Sequence, residues 1–155
     1  MEMTGEQLIP LPQEATWRAL NDTAILKACI PGCETIEQVS DTEYQLTMTA
    51  KVGPVSAKFK GKMTLTDVDA PHSYTLAFEG QGGVAGFAKG QANVRLTPES
   101  EATRLGYSVK AMVGGKLAQV GSRLIDGVAR KIAEQFFSTF NKHVTGTAAG
   151  SAAAE

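Results

Sequence analysis

The stretch from Leu117 to Phe136, placed last after some seven strand-like segments, constrains this chain most. Leu117, Gly121, Leu124, Ile125, Val128, Ile132 and Phe136 recur at 3.6-residue spacing, with Gln119, Arg123, Asp126, Arg130 and Glu134 opposite. That pattern predicts one long amphipathic helix lying on a sheet. A sheet with enough small inward residues, gripped by such a helix, can enclose an apolar space in place of a solid core. A ligand-holding protein is the first hypothesis.

The chain has 155 residues, enough for one domain with its own core and no need of disulfides or metal. Its net charge of −1 gives no electrostatic footprint for nucleic acid. Met1-Glu2-Met3-Thr4 does not open a secretory signal, so Cys29 and Cys33 are read as reduced thiols of a cytoplasmic protein. No apolar run approaches the roughly 20 residues that span a bilayer, so any membrane contact is expected to be peripheral.

Residues 2–9 read as a first strand. Leu11-Pro12-Gln13-Glu14 then opens a short helix to about Asn21, and a second runs from Ala24 to Cys29, where Ile30-Pro31-Gly32 stops it. Two strands follow with Gly53-Pro54 between them. Tyr44, Leu46, Met48, Ala50 and Val52 alternate with polar residues in one, and Val55, Ala57, Phe59, Gly61, Met63 and Leu65 in the other. Tyr74, Leu76 and Phe78 follow Ala70-Pro71-His72. Gly80, Gly82, Gly83 and Gly86 connect them to Ala88, Gly90, Ala92, Val94 and Leu96, and Leu105, Tyr107, Val109, Ala111 and Val113 make the last strand. This spacing implies an α+β chain with a strongly curved antiparallel sheet. Residues 1–144 form the expected domain, and 145–155, rich in Ala, Gly, Ser and Thr, an expected low-complexity disordered tail.

Small inward residues (Ala57, Gly61, Ala88, Gly90, Ala92, Ala111) are interleaved with larger ones, and Ala118, Gly121 and Ala129 lie under the helix. Opposed small residues either let helix and sheet approach closely or leave space, and periodicity leaves both open. A dry void costs on the order of 24 cal/mol per Å³, so a large one calls for a ligand. The expected lining is Leu46, Met48, Ala57, Phe59, Gly61, Met63, Leu76, Phe78, Gly90, Ala92, Tyr107 and Val109 from the sheet, with Leu117, Gly121, Leu124, Ile125 and Val128 from the helix. The loop carrying Gly80, Gly82, Gly83 and Gly86 reads either as a gate to that space or as a long hairpin connection. Phe137 falls near the polar side of the helix when the period is continued from Leu117. It marks either a docking surface or a bend that packs on the first short helix.

No catalytic constellation stands out. His72 lies in a turn and His143 late in the last helix, and Cys29 and Cys33 have a C-x3-C spacing without a second ligand pair. The carboxylates gather at turns and outward positions. Lys51, Lys58, Lys60 and Lys62 form a row that reads either as a solvated face or as a dock for an acidic surface.

Four segments carry a resemblance: Leu11-Pro12-Gln13-Glu14-Ala15-Thr16-Trp17, Ile30-Pro31-Gly32-Cys33, Val52-Gly53-Pro54-Val55, and the run from Val113 to Arg123. In this order they resemble the G-subunit family of carbon monoxide dehydrogenase, within the START-like, polyketide cyclase-like helix-grip superfamily. The resemblance implies a helix-grip fold: seven curved antiparallel strands around a long C-terminal helix, with two short helices after the first strand. It further implies a non-enzymatic accessory protein that works beside a molybdenum-containing carbon monoxide dehydrogenase or related molybdenum hydroxylase. Such a protein would hold a quinone (menaquinone-like) or other long apolar molecule without covalent attachment, and would help bring the enzyme to the cytoplasmic membrane. A cyclase- or hydrolase-type enzyme on the same fold is the alternative, and a structural adaptor without ligand a third.

Overall fold

The computed structural model describes the backbone as far as residue 154 and the side chains of residues 1–145. The chain runs β1 (Glu2–Ile9), α1 (Gln13–Leu20), α2 (Thr23–Cys29), β2 (Cys33–Ser40), β3 (Glu43–Val52), β4 (Val55–Asp69), β5 (Ser73–Gln81), a 3-10 turn (Gly83–Ala85), β6 (Phe87–Glu99), β7 (Ala102–Gly114), α3 (Lys116–Gln119) and α4 (Ser122–Ala154). The expected tail, residues 145–155, lies outside the described residues apart from Thr145 and the backbone trace.

All strand pairs are antiparallel, in the order β1-β7-β6-β5-β4-β3-β2. The sheet closes around α4 with β1 and β2 at its two edges, and α1 and α2 carry the chain from one edge to the other. The helix-grip expectation agrees with this architecture.

Hairpin register aligns the inward residues across the whole sheet. Met48 faces Phe59, Met63 faces Phe78, Phe78 faces Gly90, Ala92 faces Val109, and Met3 faces Val109 from the other side. Because side chains alternate with period 2, these pairings put one set of residues on the concave face and the charged set outside.

Strand β2 does not stand out in the sequence, where the other six strands can be recognised individually. Its residues are mostly polar and exposed because it is an edge strand, and only Cys33, opposite Met48, and Ile36, opposite Leu46, are half-buried. Register shifts at both of its ends limit further pairing along that edge.

The single helix expected from Leu117 to Phe136 is in fact two. α3 ends at Gln119, and Gly121, at φ +98°, breaks the chain before α4 begins at Ser122. A left-handed φ is open to glycine at little cost, so the break sits where the sequence allows it. The break separates Leu117 from the stripe that continues in α4, where Ile125, Val128, Ile132 and Phe136 keep the expected spacing and are half-buried. Leu117 is buried, Gly121 is exposed, and Leu124 is 37% exposed with its side chain against the Gly53 turn.

Phe137, Phe140 and Val144 are in the core as well. Phe137 stacks on Tyr107 at 5.5 Å, while Phe136 faces the Leu26, Tyr44, Leu65 and Tyr74 cluster. α4 is covered here from two sides, by the sheet and by α2, and so buries a wider arc than a single stripe. Phe140, fully buried, packs with Ile9, Ala19, Leu20, Cys29, Leu96 and Leu105.

A buried polar knot ties α1 to the sheet. Thr103 Oγ1 donates to the Leu11 carbonyl at 2.7 Å, and Thr16 Oγ1 lies 3.0 Å from the Pro12 carbonyl and 3.2 Å from Thr103 Oγ1. Both threonines are fully buried, so these bonds satisfy groups that would otherwise be costly to keep from water. Asp22 caps α2 by accepting from the Ala24 amide at 2.9 Å.

Two stability measurements check this account. Phe140→Ala is expected to lower the unfolding free energy by about 3–5 kcal/mol in a denaturant titration, and a loss near 1 kcal/mol would deny it a central place. Gly86 has φ +109°, and a Cβ there would collide with the Gly114 carbonyl. Gly86→Ala is therefore expected to cost about 1–3 kcal/mol, whereas the open position Gly127 should accept alanine without loss.

Candidate functional site

The candidate site is the concave face of the sheet under α4. Register brings Leu46, Met48, Ala57, Phe59, Gly61, Met63, Leu76, Phe78, Gly90, Ala92, Tyr107 and Val109 onto this one face. From the helical side, Ile125 and Val128 turn toward it and are half-buried, as are Ala129 and Ile132 farther along α4. Leu117 sits at one end of the space, not along its length. Gly121 and Leu124 are displaced from the expected lining by the break before α4.

Two seals close the ends. At one end Val52, Phe59, Ala85 and Leu117 are buried together, with Val55, Ala57, Val120, Ile125 and Val128 packed against them. At the other, the Phe140 cluster and the adjoining Leu26, Tyr44, Leu65 and Tyr74 cluster are filled by α1, α2 and the aromatic segment of α4. Between the seals lie Phe78, Gly90, Val109 and Ala111 on the sheet and Ala129, Ile132 and Ala133 on the helix. Among the described residues these join none of the three clusters, and all are only half-buried. Phe78, Gly90 and Ala111 also border the open outward groove, while Val109, Ala129, Ile132 and Ala133 are half-buried without joining a cluster.

The inward glycines do not create that space. The Tyr107 ring lies over Gly5, the Phe59 ring over Gly82, and Leu46 over Gly61, so these glycines admit large neighbours. A Cβ on Gly90 would collide with the backbone of β7. The alanines along this stretch are the buried Ala92 and the half-buried Ala111, Ala129 and Ala133.

The expected gate loop is compact. Gly80 belongs to β5, paired with Gly61 and Ala88, and not to the loop. The Gly82 amide donates to the Gly86 carbonyl at 2.8 Å, Ala85 is buried in the first seal, and Val84 projects outward at 86% exposure.

The inward positions of β3 to β7 carry no carboxylate, histidine or cysteine. Their titratable groups are Tyr44, Tyr74 and Tyr107, whose phenols burial pushes above the ordinary range. Tyr44 lies 3.4 Å from both the Asn21 carbonyl and its side-chain oxygen, which turns this hydroxyl toward the α1–α2 junction. His72 Nδ1 lies 3.2 Å from Gln13 Nε2, which also donates to the Leu96 carbonyl, so this pair ties a turn to α1. Among the described residues no group of His, Cys, Asp and Glu could hold a metal ion, and no helix is long and apolar enough to cross a membrane.

A groove of about 680 Å³ opens on the outward face, lined by Glu2, Lys62, Glu79, Lys89, Lys110 and Met112 and bordered also by Met1, Phe78, Gly90 and Ala111 of the inward register set. It is open, and its charged groups stand opposite one another across the strands: Lys89 pairs in register with Glu79, and Lys110 with Glu2. Lys62 meets Glu43 at 2.8 Å and Lys58 meets Glu34 at 3.4 Å. Such pairing describes a solvated face, and the apolar site lies on the other side of the sheet.

The chain is similar to a conserved protein of known structure from Geobacillus kaustophilus, with 31% identity over 95% of this chain and 97% of that one and a TM-score of 0.88. More distant structures share the fold alone. A START superfamily protein from Mycobacterium smegmatis is 12% identical over 94% of this chain and 98% of its own, with a TM-score of 0.72. The Zhui aromatase/cyclase from Streptomyces sp. R1128 is 10% identical over 92% of each chain, with a TM-score of 0.67. No curated protein sequence matches. The sequence profile of CoxG, the family described as the G subunit of carbon monoxide dehydrogenase, matches residues 5–145, and the chain belongs to that family.

Proposed function

We propose that this protein is a non-enzymatic carrier and adaptor. It takes a long apolar molecule, a quinone of the menaquinone type or a similar lipid, between α4 and the concave sheet. It works beside a molybdenum-containing carbon monoxide dehydrogenase or a related molybdenum hydroxylase and couples that enzyme to the cytoplasmic membrane. The observation that carries the reading is the half-buried apolar mid-section between two filled seals, in a chain whose family is described as part of carbon monoxide dehydrogenase.

The physical role follows from solubility. A long isoprenoid chain cannot cross water unaided, and a soluble oxidase cannot reach the bilayer interior. Covering the guest's apolar surface would be worth roughly 25 cal/mol per Å² removed from water, less the entropy of ordering it. Apart from Thr103, whose hydroxyl is bound to the Leu11 carbonyl, the inward positions of β3 to β7 offer only phenol hydroxyls as polar handles, which suits a ligand recognised by shape and apolarity. Chemical transformation of the guest would call for converging acids and bases, and the likeness to a cyclase at 10% identity concerns the fold.

Organic extraction of protein purified from its native host, followed by mass spectrometry, is expected to release a lipid-like molecule in near-stoichiometric amount. A clean extract together with failure to take up added menaquinone would reject the carrier reading and leave a structural adaptor.

Ala129 offers a direct check on where the guest sits. Ala129→Trp fills the mid-section from the helix, where the sheet need not rearrange, and is expected to reduce menaquinone uptake at least tenfold with an unchanged far-UV spectrum. Uptake equal to wild type would place the ligand elsewhere, whereas Gly121→Trp, outside the grip, is expected to leave uptake intact.

A further inference from the structure

Three phenols stand on the inward face, and their hydroxyls are placed differently. The Tyr107 hydroxyl lies against Gly5 of β1. Tyr44 is loosely tethered at 3.4 Å to the carbonyl and side-chain oxygens of Asn21. Tyr74 is only 8% exposed, and among the described residues its hydroxyl makes no hydrogen bond. A polar group held so deep without a partner is uncommon, because the loss of water is left uncompensated.

Packing accounts for the ring and not for the hydroxyl. Trp17 meets the Tyr74 ring edge-on at 5.2 Å between centroids, and Leu26, Tyr44 and Leu65 are buried with it. Phenylalanine would fill the same place without an unpaired oxygen. The oxygen is also not walled in. Asn141 Oδ1 is the one fully enclosed side-chain oxygen or nitrogen without a partner among the described residues, so Tyr74 Oη keeps contact with open space. Met63, Leu76 and Phe136 pack against this cluster, are half-buried, and continue toward Phe78, which faces Met63 in register. Burial, with the Tyr44 phenol nearby, pushes the Tyr74 pKa up, so the group stays neutral and keeps a proton to share.

We propose that the Tyr74 hydroxyl is the polar subsite of the grip, donating a hydrogen bond to a carbonyl oxygen on the ring of an otherwise apolar guest. The assignment rests on the carrier reading and narrows its ligand to a molecule with an acceptor at one end, as a quinone has and a plain hydrocarbon lacks. The ring then lies at the aromatic end beside Phe136, and the chain runs past Phe78 and Ala129 toward the Leu117 seal. One neutral donor in apolar surroundings suits a carbonyl. A carboxylate head would call for a cation, and the inward positions of β3 to β7 carry none.

Binding of menaquinone, and of squalene as an isoprenoid hydrocarbon without an acceptor, to wild type, Tyr74→Phe and Tyr107→Phe tests the subsite. Tyr74→Phe is expected to weaken menaquinone binding about fivefold or more and to leave squalene binding unchanged. Without guest it should melt at the wild-type temperature or above, since the hydroxyl it loses holds nothing in the protein. Tyr107→Phe should bind both molecules as wild type does. The infrared carbonyl band of bound menaquinone should lie lower on wild type than on Tyr74→Phe. Menaquinone binding by Tyr74→Phe equal to wild type would assign the hydroxyl to water and overturn the subsite, while squalene and menaquinone uptake by wild type would still uphold the carrier. An equal loss for squalene, or a lowered melting temperature, would give the hydroxyl a structural role and overturn the subsite as well. Wild type that takes up neither molecule would reject carrier and subsite together.

Discussion

Phe140 is the residue on which the geometry of the grip depends. Fully buried among Ile9, Ala19, Leu20, Cys29, Leu96 and Leu105, it joins the first strand, both short helices, the last two strands and α4 in one contact set. With Phe137 stacked on Tyr107, it holds one end of α4 tightly on the sheet. The other end of the helix rests on the Gly53 turn and on the cluster around Leu117. A helix held at both ends leaves the stretch between them, with half-buried Ala111, Ala129 and Ala133, as the candidate binding site. The candidate binding site is a consequence of where the helix is fastened.

The segments that identify the family serve as joints of this construction. Leu11 and Pro12 supply the carbonyls of the buried threonine knot, and Gly32 accepts from the Thr49 amide at 3.0 Å. Val52 to Val55 form the turn under the start of α4, and the run from Val113 to Arg123 carries both the α3 seal and the break at Gly121. None of these segments brings a nucleophile, base or metal ligand to the concave face. The similarity across the family is accordingly a similarity of how the grip is assembled, and the chemistry of the guest is left to the apolar side chains between the joints.

The sequence by itself determined the alternation of the inward strands, the turns at Gly53-Pro54 and Ala70-Pro71, both short helices and the family joints, because period-2 and period-3.6 patterns are local consequences of backbone geometry. Strand β2 was not legible, since an edge strand facing water has little need of apolar alternation. Tertiary structure alone decided where the last helix breaks and how wide an arc it buries. Nothing local tells a glycine inside a helix from Gly121 at φ +98°, where Gly121 and Leu124 are left exposed, and the cover supplied by α2 puts Phe137 in the core beside the expected stripe. It also decided what small inward residues mean. Gly5, Gly61 and Gly82 are covered by neighbouring side chains, so small inward residues there make room for large neighbours. Whether two small residues touch or leave a gap depends on the distance between elements far apart in the chain, and no periodicity encodes that distance.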